Sequence, residues 1–128
     1  MKLESEGVKA LVDAMRFRTA RQGVLAANVA NADTPRYRPV DLEFETKLGH
    51  EQLRLAGTDA RHLPAGDGAH GRSYRVEVGP KGSGPDGNGV SLDEELVRMS
   101  RNAGAYQDQA DILSRLMGLV RSAISGEG

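Results

Sequence analysis

The sequence predicts a mainly α-helical chain. Long N- and C-terminal helices pack as a coiled-coil hairpin or bundle, and an irregular, loop-rich insert with short β pieces lies between them. Three observations predict this. All five prolines and most of the glycines fall within residues 32–89, while residues 3–31 and 91–125 hold no proline and two glycines each. Apolar residues recur at helical spacing in both flanks. Alternation of the kind that makes strands is confined to two short stretches of the middle. The chain therefore divides into an N-terminal helix, 1–31, an insert, 32–90, and a C-terminal helix, 91–128.

In the first unit, Val8, Leu11, Met15, Leu25 and Val29 form a packing stripe that Arg18 and Gln22 interrupt. A helix with so broken a stripe is marginal without a partner, because helical stability in proteins comes mostly from packing. Its end is expected at Asn31, ahead of Asp33-Thr34-Pro35, since a residue before proline avoids the helical region.

In the insert, Arg38-Pro-Val-Asp-Leu-Glu-Phe44 alternates and reads as a short extended piece, and Tyr74-Arg-Val-Glu-Val78 is a better strand candidate. Residues 66–89 hold eight glycines, which reads as flexible loop.

The C-terminal helix is the strongest signal. The turn-like Asp86-Gly-Asn-Gly89 leads to Ser91, a candidate N-cap with Glu94 as capping-box partner, and Asp93, Glu94 and Glu95 complement the helix dipole. Leu92, Leu96, Met99, Ala103, Tyr106, Ala110, Leu113, Met117, Val120 and Ile124 follow in unbroken steps of four and three, the period of a coiled-coil seam. At 1.5 Å per residue the helix spans about 50 Å. A second apolar line, Ile112, Leu116, Leu119 and Ala123, joins it late. Positions flanking the seam carry Ser100, Gln107, Gln109 and Ser114 in place of the charge pairs of a simple two-stranded coil. A helix with two apolar faces needs neighbours on two sides, which suits a multi-helix wall.

Composition points the same way. Aromatics are only 4% of the 128 residues and there is no Trp, so a large self-contained core is hard to build. The net charge is −1, with 17 basic and 18 acidic residues scattered along the chain, and no basic stripe argues for nucleic acid. The absence of cysteine rules out disulfides, thiolate metal sites and cysteine nucleophiles. The N-terminus lacks the apolar core and cleavage site of a Sec signal peptide, and no run of 18 apolar residues exists, so membrane insertion is not expected.

No catalytic residue, cofactor or metal site emerges. Gly82-Ser-Gly84-Pro-Asp-Gly87 has the spacing of a dinucleotide fingerprint, but Pro85 sits within it and no second parallel strand follows. Asp86-Gly-Asn88 opens like a calcium loop and then fails, with Ser91 in place of the required glycine and Val97 in place of the bidentate Glu. His50, His62 and His70 sit in loop-like sequence with no spacing that would bring them together on a metal, and read as surface residues. Asp41, Glu43 and Glu45 alternate along one strand face, which reads as solvated rather than as an acid–base pair.

The segment Arg21-Gln-Gly-Val-Leu-Ala-Ala-Asn-Val-Ala-Asn-Ala-Asp-Thr-Pro-Arg-Tyr37 resembles the N-terminal signature of flagellar axial proteins, the family of rod, hook and hook-associated components. That signature is a helix ending in two asparagines three apart, then Thr-Pro-Gly-Tyr. The matching residues are Asn28, Asn31, Thr34, Pro35 and Tyr37, with Arg36 in the place of the usual glycine. Asp41-Leu-Glu-Phe44, Asp86-Gly-Asn-Gly-Val-Ser-Leu-Asp-Glu-Glu95, Tyr106-Gln107 and Leu119-Val-Arg-Ser-Ala-Ile124 are similar to proximal rod members in particular, and the short insert argues for rod over hook. The resemblance implies a non-enzymatic part of the flagellar basal body that is exported through the flagellar type III pathway into the periplasmic rod. It also implies assembly with copies of itself, with other rod proteins and with the adaptor at the MS ring and export gate. A soluble coiled-coil adaptor or chaperone is the competing expectation from the seam alone, and a small enzyme or metal protein using the three histidines is a third.

Overall fold

A computed structural model describes residues 2–45 and 73–126. Helix α1 runs Lys2–Ala30, strand β1 Val40–Glu45, strand β2 Ser73–Val78 and helix α2 Leu92–Ser125. The fold is mainly helical, with a two-stranded antiparallel sheet in the middle. The histidines lie outside the described residues, as does much of the glycine-rich stretch before Ser73.

The helices pair antiparallel. Asn28 of α1 meets Glu95 of α2, and Arg18, ten residues earlier, meets Asn102, seven residues later. Helix α1 gives way to a turn at Asn31, which folds back on its own last turn: its amide side chain donates to the Ala27 carbonyl at 2.8 Å and its Oδ1 accepts from the Thr34 hydroxyl at 3.0 Å. At its start, α2 departs from the capping-box expectation. Ser91 is the N-cap residue, in an extended conformation, but its hydroxyl makes no capping bond. Glu94, which would complete the box, reaches forward to Arg98 instead, at 3.8 Å. The helix ends at Gly126, whose left-handed backbone (φ 71) suits a residue without a Cβ.

The sheet packs on α1 through β1. Alternation puts Val40, Leu42 and Phe44 on one face, opposite Val78, Val76 and Tyr74 of β2. Phe17 of α1 packs against Phe44 and Tyr74 with ring centroids 5.4 and 5.5 Å away, the edge-on or tilted geometry that aromatic quadrupoles favour. With Leu25 and Leu42, Phe17 completes the buried apolar core among the described residues. Three large side chains make a very small core, in line with the scarcity of aromatics.

Residues 79–90 are held closely, contrary to the flexible reading of their glycines. Gly79 N–H donates to the Pro39 carbonyl at 2.7 Å, and Gly89 N–H to the Tyr37 carbonyl at 2.9 Å. A Cβ on Gly82 would stand 1.8 Å from the Asn88 carbonyl oxygen, so this glycine permits a close backbone crossing and does not supply looseness.

Candidate assembly interface

Two polar joints tie α2 to the rest of the chain. The first centres on Asn28, which is fully buried. Its side-chain amide donates to the Val40 carbonyl at 2.7 Å and to Glu95 Oε2 at 3.0 Å. Its Oδ1 accepts from Val40 N–H at 3.0 Å and from the Tyr37 hydroxyl at 3.2 Å. Two donor hydrogens and two lone pairs are the whole capacity of an asparagine side chain, and all are used. Toward Val40 the carboxamide acts as a neighbouring strand would, giving and taking one bond with the same residue. Glu95 is buried, and its other oxygen accepts from Arg98 at 2.9 Å. Burial and the negative charge of Glu95 raise the Tyr37 pKa, keeping its hydroxyl protonated and able to donate.

The second joint lies two turns along. Asn102, also buried, donates to the Arg18 carbonyl and to Gln22 Oε1, both at 2.8 Å, and the Arg18 guanidinium approaches its Oδ1 at 3.4 Å. Arg18 and Gln22, the residues that interrupt the apolar stripe of α1, are thus the partners of a polar residue on α2.

Two further ties brace this frame. Arg21 grips Asp41 with two bonds, of 2.7 and 2.8 Å. Burial pushes the Asp41 carboxyl up, but the Arg21 guanidinium and the Leu42 N–H outweigh it and hold its pKa below the usual value. Glu43 is paired with Arg75 across the strands. These two carboxylates of β1 are therefore arginine partners, and Asp41 is half-buried rather than solvated. The second tie clamps the insert to the end of α1. Asn88 donates to the Asn31 and Thr34 carbonyls at 2.9 and 2.6 Å, and Arg36 N–H donates to the Asp86 carbonyl at 2.7 Å. Arg36 has φ 61, a left-handed backbone that is uncommon for a residue with a Cβ.

With α2 so placed, most of its apolar surface faces outward. Of the ten seam residues, Leu92, Leu96, Ala103, Tyr106, Met117, Val120 and Ile124 are exposed, and Met99, Ala110 and Leu113 are half-buried. On the second apolar line, Ile112, Leu119 and Ala123 are exposed and Leu116 is half-buried. Every residue of 117–126 is exposed, with Leu119 at 67% and Ile124 at 80% of full accessibility. Met117, Val120, Arg121 and Ile124 line a shallow open groove there. On α1, Leu25 is buried and Val8, Leu11, Met15 and Val29 are half-buried. Of the motif residues, Asn31 and Tyr37 are half-buried, while Thr34 and Pro35 are exposed on the turn.

Sequence reasoning missed Glu95, Asn102 and the Arg21–Asp41 pair. A signal for the first two was present: Glu95, Asn102 and Gln109 follow one another at seven-residue intervals, the spacing of positions that face one partner helix. Among the described residues no group of three or more His, Asp or Glu could hold a metal ion, and no helix is long and apolar enough to cross a membrane.

The family model for the flagella basal body rod protein matches residues 10–38, the stretch that carries Arg18, Gln22, Asn28 and the turn. The chain is also similar over most of its length to curated rod proteins. It is 36% identical to the flagellar basal body rod protein FlgB of Cereibacter sphaeroides over 120 residues, covering 89% of this chain and 90% of the relative. It is 36% identical to that of Salmonella typhimurium over 121 residues, covering 84% and 86%. It is 33% identical to that of Escherichia coli over 127 residues, covering 89% and 90%. A buried asparagine that joins helix, turn, strand and second helix, inside the matched stretch, and an identity of about a third across nearly the whole chain place this protein among the flagellar basal body rod proteins of the FlgB family.

Proposed function

We propose that the chain is a structural subunit of the proximal rod, a non-enzymatic building block that needs no cofactor. It packs against copies of itself and other rod proteins to form the wall of a hollow shaft, which carries torque and lets exported proteins pass. The observation that carries this reading is the open apolar surface of α2, above all the exposed tail from Met117 onward. Burial of apolar surface is the main favourable term in association, and side chains such as Leu119 and Ile124 find no cover among the described residues. Seam and second line look in different directions, so the helix suits neighbours on two sides, as a tube wall requires. In this reading the chain reaches the periplasmic part of the basal body through the flagellar type III pathway. Its inner contact is the adaptor at the MS ring and export gate.

The double substitution Leu119→Asp with Ile124→Asp tests the reading. Both side chains are exposed, so the free chain should melt as the parent does, while a charge in an apolar contact opposes assembly. We expect loss of motility and loss of the protein from isolated basal bodies in a strain carrying only this variant. Full motility with normal incorporation would overturn the proposal. A discrete dimer at every concentration, with no entry into basal bodies, would point instead to a soluble adaptor.

A further inference from the structure

Apolar area alone would turn α2 about its axis. At roughly 100° per residue, Leu92, Leu96 and Ala103 lie roughly 60–100° around the helix from the line through Glu95 and Asn102. Yet the Glu95–Asn102 line faces α1 and is buried, while Leu92 and Leu96 are left about half exposed. The residue one heptad further, Gln109, is half-buried and continues the polar line. The helix thus presents a polar line to its own chain and keeps a more apolar one outward.

The bonds of Asn102 account for this choice. Both its amide hydrogens are used, on the Arg18 carbonyl and on Gln22 Oε1, and its oxygen faces the Arg18 guanidinium. A turn of α2 that brought Leu96 and Ala103 inward would swing Asn102 to the rim. It would also set Gln22 and the Arg18 head against aliphatic side chains, and polar groups buried without partners are unfavourable. A sliding of α2 along α1 would take Glu95 off Asn28, whose four bonds are all committed. A single polar residue at a core position of paired helices selects register in this way, at some expense of stability.

We infer that Asn102, together with Arg18 and Gln22, is a specificity-determining position: it fixes the rotation of α2 on α1 and thereby keeps Leu92, Leu96 and Ala103 facing outward for neighbouring subunits. The purpose given to that outward face rests on the rod reading; the fixing of rotation is a property of the single chain.

Because the sequence contains no cysteine, single thiol reporters are unambiguous. Ala103→Cys reports the outward line, and Ala105→Cys, half-buried in the parent, reports the opposite flank of the packed face. Each is placed in the parent chain and in a chain carrying Asn102→Leu with Gln22→Leu, and the rate of thiol labelling is measured on the free protein. In the parent, Ala103→Cys should label faster than Ala105→Cys. In the leucine background we expect the order to reverse, with labelling at 103 slowed about tenfold or more and labelling at 105 accelerated. Unchanged rates at both sites in a folded variant would overturn the inference. Faster labelling at both would overturn it as well, because the two residues would then hold the pair together without choosing its rotation. The readout is taken on the unassembled chain, so it stands apart from the outcome for Leu119→Asp with Ile124→Asp.

Discussion

Asn28→Ala is expected to be the most damaging truncation of a polar side chain in this fold. The substitution removes four hydrogen bonds, of 2.7, 3.0, 3.0 and 3.2 Å, and strips partners from both polar groups of Val40, from Glu95 Oε2 and from the Tyr37 hydroxyl. Glu95 keeps Arg98 on its other oxygen, and Tyr37, half-buried, can turn toward solvent. The Val40 groups and Glu95 Oε2 cannot do so easily. At about 1–3 kcal/mol for each of the three buried groups left unpaired, the loss should be roughly 3–9 kcal/mol. Domains are usually stable by about 5–15 kcal/mol, and one whose described residues bury only three large apolar side chains sits at the low end, so the helix pair should be largely open in the variant. Two companions calibrate the argument. Tyr37→Phe removes one donor and should cost about 0.5–1.5 kcal/mol. Asn28→Asp keeps the shape but turns an acceptor toward the Val40 carbonyl and the Glu95 carboxylate, and should be at least as harmful as alanine. Urea unfolding followed by circular dichroism measures all three. A loss below about 1 kcal/mol for Asn28→Ala, or an Asn28→Asp chain as stable as the parent, would refute the reasoning.

Two more outcomes follow from the same frame. Arg36 holds a left-handed backbone that its Cβ resists, so Arg36→Gly should raise stability by about 1 kcal/mol in the same assay; a loss would mean that the arginine side chain does more against Gly87 than its strain costs. The pKa of Asp41 is held below its ordinary value in the folded state, so its contribution is complete above about pH 4 and is lost as pH falls through the lower, folded pKa. Stability measured from about pH 5 downward should therefore fall, and Asp41→Asn should lower stability at neutral pH and flatten that slope; equal slopes in the two proteins would contradict the assignment.

Much of the fold was legible because its elements are marked locally. Proline and glycine crowd the middle, α2 repeats its apolar residues without a break, and Arg38–Phe44 and Tyr74–Val78 alternate where β1 and β2 form. What stayed hidden depends on contacts distant in sequence. Arg18 and Gln22 look like flaws in a stripe until Asn102 is opposite them, 84 and 80 positions away. Glycine content cannot separate a loose loop from one in which Gly82 and Asn88 pass too closely for a Cβ. The outward face of α2 was visible only as surplus: its two apolar lines could be counted, and the spacing of Glu95, Asn102 and Gln109 marked the inward line, but the partners of Asn102 on that line, Arg18 and Gln22, lie on α1.

That division bears on how such a subunit can be both folded and ready to assemble. If the seam packed on α1, the free chain would gain stability and lose the surface that the proposed assembly uses. On α2 the buried residues are polar and most of the apolar ones lie outside, the inverse of the usual arrangement, and this has a clear physical consequence. The intramolecular contact is strict about geometry but modest in strength, since each hydrogen bond exchanges with water on opening. The outer contact is tolerant of geometry and strengthens with area. Under the proposed rod reading, a subunit built this way fixes which face it offers before it meets a partner, and would draw much of its final stability from neighbours covering Leu119, Ile124 and the groove beside them.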